Sequence, residues 1–262
     1  MRAHSARIRQ QGFSIVEVMV SITIGMLLSS AAITFVVKSL QINVDTVKVT
    51  RLMSELRAVM DVAERELKRA GYDENAIASI GTGTTYKSPF ARMRIVAGNS
   101  GCVLYAYDRA GGTPGALDTT NSEIHGLRRI VLANGRGAIE YNVGVARAAP
   151  ACDAASGTYT SFPPACNAGT GWCPLTDPRT VNITAFAVTP VEGGGAAAGS
   201  GVMRIATTGA PDLAMRDITV QLAGQLTSDA AVARTINNRV RVRADCVRAT
   251  ADFGECSSTP GT

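Results

Sequence analysis

Aromatic residues are scarce in this 262-residue chain, at 5% with a single tryptophan, while glycine, alanine, threonine and serine are plentiful. That balance suits a β-rich fold with many loops better than a tightly packed helical enzyme. Histidine occurs twice, at His4 and His125, and no two of the six cysteines form a C-x-x-C pair. Zinc needs four nitrogen or sulfur ligands, usually drawn from close pairs, so a metal site is a poor reading. No cysteine precedes Cys102 and no proline precedes Pro89. The second absence removes the strongest helix breaker from the first third of the chain. Acids are missing from the first twelve residues, which carry Arg2, Arg7 and Arg9. The formal net charge is +5, and without those three arginines it falls to +2, too little to argue for a nucleic-acid binder. The length fits one large domain or one domain with an appendage.

An apolar run is present at residues 13–37, FSIVEVMVSITIGMLLSSAAITFVV, with Glu17 as its one charge. As a helix it measures about 37 Å, against a hydrocarbon core of about 30 Å, so it can span a bilayer. The arginines before it keep that end cytoplasmic and send everything after residue 38 outward. Two ordinary readings compete, a cleaved secretory signal with its apolar core at residues 13–28 and a plain membrane anchor. Neither explains Glu17, because an acid in the bilayer costs about 3 kcal/mol and is normally paired or functional.

The helical pattern continues beyond the span. Leu40, Val44, Val47, Leu52, Leu56, Val59, Met60, Ala63 and Leu67 recur at spacings of mostly three and four. Glu64 and Lys68 are a favourable i,i+4 pair, Lys68 and Arg69 suit a last turn, and Gly71 suits a stop. One helix is expected over residues 13–70, about 87 Å long at 1.5 Å per residue. Its first half is apolar all round and its second half amphipathic.

After Gly71 the period changes. Candidate strands lie at residues 92–96, 102–108, 127–133, 138–143, 181–188, 202–207, 218–222 and 235–242, separated by turn-rich stretches such as DRAGGTPGALD, ANGRG and VEGGGAAAGSG. The expected fold is α+β: a long N-terminal helix, with a transmembrane first half, packed by its second half against an antiparallel β-sheet domain with disulfide-stapled loops. The boundaries are 1–12 leader, 13–37 membrane half, 38–70 amphipathic half and 71–262 exported domain. Cys102, Cys152, Cys166, Cys173, Cys246 and Cys256 are even in number and confined to that domain, as disulfides in an oxidising compartment would be. Six cysteines allow 15 connectivities. Cys246 with Cys256, close in sequence, is the pairing favoured here, while Cys152, Cys166 and Cys173 crowd one Pro/Gly-rich loop.

The stretch RQQGFSIVEVMV, with a short basic leader ending in Gly12, then Phe13, then Glu17 as the fifth residue of the apolar run, resembles the N-terminus of type IV prepilins and type II secretion pseudopilins. The resemblance implies that a prepilin peptidase cuts between Gly12 and Phe13 on the cytoplasmic side, and that Phe13 is then N-methylated. It also implies that Glu17 of an incoming subunit meets the freed Phe13 amine of a neighbour in a filament. Many major pilins carry a proline in the middle of this helix; here Gly25 and the Ser29–Ser30 pair are the only softeners. Further along, LKRAGYDEN, GCVLYAYDR, WCPLTDPRTVNITAFAVT and TINNRVRVRADC are similar to segments of the PilW group of minor type IV pilins. Members of that group are implied to act at low copy number in an initiating complex near the filament tip, alongside other minor pilins and the major pilin. The J-type minor pseudopilin of type II secretion is the nearest competitor, and a single-pass anchored periplasmic binding domain is the other.

No catalytic constellation is legible and no cofactor is implied. His125, in NSEIHGLRR, is expected at a loop-to-strand junction, where a packing or surface role is favoured over a general base. GTGTT at residues 81–85 lacks the lysine of a phosphate loop and reads as a turn. Asp108, Asp118 and Glu123 could offer carboxylates to calcium, but the stretch lacks the alternating acids of an EF-hand loop. Arg239, Arg241 and Arg243, with Arg234 nearby, alternate with Val240 and Val242, which places three guanidiniums on one face of a strand. They could contact phosphates of nucleic acid. A solvated outer face that discourages edge pairing is the favoured reading.

Overall fold

The computed structural model describes residue 12 and residues 14–79, 88–109, 113–118, 123–142, 150–191, 202–205, 212–248, 256 and 260. The stretches GTGTT and VEGGGAAAGSG fall largely or wholly outside them. The chain forms two compact units, Met1–Val49 and Thr50–Thr262.

Helix α1 runs Ile15–Arg69, with Glu17 in its first turn and Lys68 and Arg69 in its last. Both placements suit the helix dipole. It stops where Gly71 takes φ +80°, a left-handed conformation that favours glycine. The Gly71 N–H leaves the helix ladder and donates to the Ala106 carbonyl at 2.7 Å. A Cβ there would also lie 3.0 Å from Ala244 Cβ and from Arg216 Nη2.

In the second unit, two antiparallel sheets share the core with the last turns of α1. Strands β1 (Met93–Val96), β2 (Cys102–Ala106), β3 (Ile124–Val131), β4 (Gly137–Asn142) and β5 (Trp172–Pro174) form one sheet in sequence order. The other is built on β8 (Asp212–Leu226), a 15-residue strand. Strands β6 (Val181–Pro190) and β9 (Ala233–Arg241) pair with its second part, β7 (Val202–Ile205) and β10 (Cys246–Arg248) with its first. Leu52, Leu56, Val59, Met60, Ala63 and Leu67 of α1 pack on Val103, Tyr105, Leu127 and Ile139 of the first sheet and on Ile183, Phe186, Val188, Ile218, Val220, Leu222 and Val240 of the second. Each fully buried leucine contributes about 1.5–3 kcal/mol. Burial on α1 begins at Leu52; Leu40, Val44 and Val47, which carry the same periodic stripe, stay exposed.

The two sheets meet backbone to backbone. A Cβ on Gly137 would sit 2.0 Å from the Ile183 carbonyl, so only glycine admits that approach. The Gly137 N–H donates to Asn182 Oδ1 at 2.7 Å, and Arg129 Nε donates to the Ile183 carbonyl at 2.7 Å.

β2 is buried along its whole length because both of its faces are covered. Val103 and Tyr105 meet the helix, while Cys102 and Leu104 pack with Trp172 beneath the loop of residues 150–171. That loop has little regular structure, and two disulfides and one buried ion pair hold it. Cys102 bonds Cys152 and Cys166 bonds Cys173; Cys246 bonds Cys256 at the chain end, so all six cysteines are paired. Arg128 Nη2 lies 2.6 Å from Glu140 Oε2, with both side chains at most 2% exposed. Arg128 Nη1 donates to the Cys152 and Ala154 carbonyls, and its guanidinium lies 4.1 Å from the Trp172 ring centroid. Glu140 Oε1 accepts the Gly157 N–H and the Tyr159 hydroxyl. A buried pair tolerates removal from water when its remaining donors and acceptors are satisfied in this way.

The fold departs from the sequence expectation in four places. Strands β5 and β10, three residues each, carry no alternation long enough to read. β8 extends well beyond residues 218–222 on both sides. β3 starts at Ile124, three residues before the expected Leu127, because register against β2 takes residues 124–126 into the sheet; His125 is thus its second residue and is 1% exposed. Arg243 lies beyond the end of β9, so two of the three predicted guanidiniums share the strand face and the third does not.

Candidate assembly and membrane segment

The first unit displays its apolar residues. From Ile15 to Val47 every large hydrophobic side chain of α1 is exposed, including Ile15 at 80%, Leu27 at 70% and Phe35 at 75%. Soluble monomers rarely show contiguous apolar patches above a few hundred Å², so a surface of this kind meets lipid or other helices. α1 is long and apolar enough to cross a membrane. Five of its hydroxyls are spent within the helix. Ser21, Thr23, Ser30, Thr34 and Thr46 donate to carbonyls three or four residues back, at 2.7–2.8 Å. Such back-bonding lets polar side chains sit in an apolar surround without an unsatisfied donor.

Glu17, in the first turn of α1, is the one charged residue of the stretch 15–37. Its position suits the unpaired N–H groups and positive dipole end there. Gly12 is exposed just before the helix, while Phe13 and the basic leader lie outside the described residues.

The other sequence-predicted groups lie in the second unit, and those other than Arg243 have structural partners. His125 stacks 4.4 Å from Tyr107 at an interplanar angle of 7°, and its Nδ1 is 3.0 Å from the Tyr141 hydroxyl. The hydroxyls of Tyr105, Tyr107 and Tyr141 converge on Glu66 Oε2 at 3.3–3.4 Å. Burial pushes all three phenols above their ordinary range, with the Glu66 charge adding to it, so they are neutral donors to the carboxylate. This cluster fastens helix to sheet. It was not legible in the sequence, because GCVLYAYDR shows an alternating strand but not the helix carboxylate above it.

Asp108 Oδ2 accepts the Glu74 and Gly115 N–H groups, and Glu123 accepts those of Arg109 and Asp118. These carboxylates organise a loop, and the described residues contain no group of three or more acid, histidine or cysteine side chains placed to hold a metal. Arg239 pairs with Asp217 at 2.6 Å, and Arg241 lies 3.9 Å from Asp245, which offsets much of the positive face expected on β9.

A single exposed apolar helix that carries one acid in its first turn and continues into a disulfide-bonded α+β domain defines a pilin-type subunit. Residues 7–33 match the prokaryotic N-terminal methylation motif, and residues 45–242 match the family described as prepilin peptidase-dependent protein B. The chain belongs to that family and is a type IV pilin-like minor pilin. No curated protein and no solved structure matches it.

Proposed function

We propose that this chain is a minor subunit of a type IV pilus, similar in role to the PilW group, held in the inner membrane by α1 until it is built into a filament. The leader of residues 1–12 stays cytoplasmic and the domain of residues 71–262 is periplasmic. Residues 13–37 serve as the membrane and filament-core half of the helix, and residues 38–70 as its amphipathic half. Prepilin peptidase cuts between Gly12 and Phe13, and Phe13 is N-methylated. Glu17 then pairs with the Phe13 amine of a neighbour. A charge in low dielectric is stabilised only when a partner neutralises it, so the unpaired acid biases the subunit out of lipid and sets its register among other helices. The chain works with other minor pilins and the major pilin in an initiating complex near the tip. Its role is structural, not enzymatic.

The observation that carries this reading is Glu17 in the first turn of α1, the one charge in the exposed run of residues 15–37, inside the matched methylation motif. The test is N-terminal mass spectrometry of the full chain expressed with and without prepilin peptidase. A mature chain starting at methylated Phe13, and only with the peptidase, is expected. Retention of Met1 in assembled filaments rules the proposal out. Deletion of the gene separates the second reading: loss of surface pili supports a pilus subunit, whereas loss of secretion with pili intact supports a J-type pseudopilin.

A further inference from the structure

The three disulfides follow the order of the chain. Cys102 bonds Cys152, Cys166 bonds Cys173 and Cys246 bonds Cys256, so the cysteines pair consecutively and no bridge encloses or crosses another. Of the 15 connectivities open to six cysteines, one has this property.

Two of the bridges close short loops. Cys166 and Cys173 are 7 residues apart, and the turn between them is held by the Asn167 N–H on the Trp172 carbonyl at 2.9 Å and the Gly171 N–H on the Asn167 carbonyl at 2.8 Å. Cys246 and Cys256 are 10 residues apart. The first bridge differs. It closes 50 residues, while Cys166 lies only 14 residues beyond Cys152. Loop-closure cost rises with the logarithm of loop length, so in an unfolded chain Cys152 meets Cys166 about sevenfold more often than it meets Cys102. A chain that exposed all six thiols together would start from the wrong pair.

Most of what seats Cys152 is encoded before it. Cys102 lies in β2, 2% exposed, beside β3 and β4 in one antiparallel meander. Arg128 of β3, paired with Glu140 of β4, donates through Nη1 to the Cys152 carbonyl at 2.9 Å and to the Ala154 carbonyl at 2.7 Å. Residues 102–142 are exported ahead of Cys152; Trp172, which completes the cluster around Cys102, comes later. A chain fed outward at the pace of synthesis, about 5–20 residues per second, presents Cys152 about 1–3 s before Cys166. Oxidation within that interval leaves Cys152 a single partner, Cys102.

We propose that the bridges form in chain order during export, by transfer of a disulfide from a protein dithiol oxidase, and that no disulfide isomerase is needed to correct them. The Cys102 thiolate opens the oxidase disulfide to a mixed disulfide. The Cys152 thiolate then attacks the Cys102 sulfur and expels the oxidase thiolate; the pair loses two electrons and two protons, and the oxidase leaves as a dithiol. The same exchange joins Cys166 to Cys173 and Cys246 to Cys256. This inference rests on the reading that residues 71–262 are exported.

The experiment produces the full chain in cells holding both enzymes, in cells lacking the isomerase and in cells lacking the oxidase. Free thiols are alkylated and the bridges mapped by mass spectrometry without reduction. The three native bridges are expected in the first two, with Cys152–Cys166 below about a tenth of Cys102–Cys152, and loss of the oxidase should raise the free-thiol fraction about tenfold or more. In a companion measurement the reduced full chain is treated with oxidised glutathione in denaturant, where Cys152–Cys166 should outnumber Cys102–Cys152 by about sevenfold. Scrambled bridges without the isomerase, native bridges at full yield without the oxidase, or Cys102–Cys152 dominant in denaturant would each overturn the inference. Six free thiols in cells holding both enzymes would instead sink the export reading on which it rests.

Discussion

The two units of this protein treat the same kinds of side chain in opposite ways. Between Ile15 and Val47 the large apolar residues of α1 face outward and five of its hydroxyls turn in upon the helix backbone. From Leu52 to Leu67 the apolar residues face a core, and the polar groups below them find partners far along the chain: Glu66 with three tyrosines, Arg128 with Glu140. The first surface is complete only in lipid or among other helices. The second is complete within one polypeptide. A helix can serve both because burial depends on what covers a residue and not on its backbone conformation.

The largest effect expected is on the first unit alone. Glu17→Ala should lower the amount of this chain recovered in sheared filaments by about a hundredfold or more, since an interaction between charges in low dielectric is lost, while cleavage still yields a mature Phe13 terminus. The same variant should leave the unfolding of the second unit unchanged, followed by emission of Trp172, a fully buried reporter in that unit. Wild-type incorporation by this variant would erase the functional difference between the halves of the helix.

Within the second unit, Arg128→Ala should cost about 3–5 kcal/mol in denaturant unfolding of the full chain in detergent, because Glu140 is left charged and buried. A Cys102–Cys152 bond that becomes reducible under mild thiol in this variant would confirm that Arg128 seats the loop it clasps. A smaller pair of changes compares the halves of α1 directly. Leu56→Ala should destabilise by about 2–5 kcal/mol. Leu28→Ala, on the exposed half, should lie within about 0.5 kcal/mol by the same measurement. Equal costs would mean that residue 28 is covered within one chain.

The finest test is alkaline pH. Tyr105, Tyr107, Tyr141 and Tyr159 all have hydroxyls pushed above the ordinary range, mainly by burial. The unfolded chain loses these protons near pH 10 while the folded chain keeps them, so their contribution is fully present below that pH and is lost as pH rises above it. Unfolding measured at pH 8, 9.5 and 11 should show a falling midpoint. Tyr141→Phe should flatten the slope and cost about 1 kcal/mol at pH 8. No free thiol is present to start disulfide exchange at high pH. A midpoint that does not fall would show the phenols to be solvated.

What the amino-acid sequence determined by itself is what depends on neighbours a few residues apart. The extent of α1, the change from an all-round apolar half to a striped one, the stop at Gly71 and most of the strands follow from periodicity, propensity and the absence of proline. The motif around Gly12, Phe13 and Glu17 is likewise local, which is why one short window suffices to recognise it. Tertiary structure alone decided the partners: Cys102 with Cys152 out of 15 possible connectivities, Arg128 with Glu140, and three tyrosines and His125 gathered beneath Glu66. It also decided that the stripe is buried from Leu52 and not from Leu40. Each of these joins residues separated by many positions, and the choice among them is made by the closure of loops and the register of strands, quantities that no short window of sequence contains.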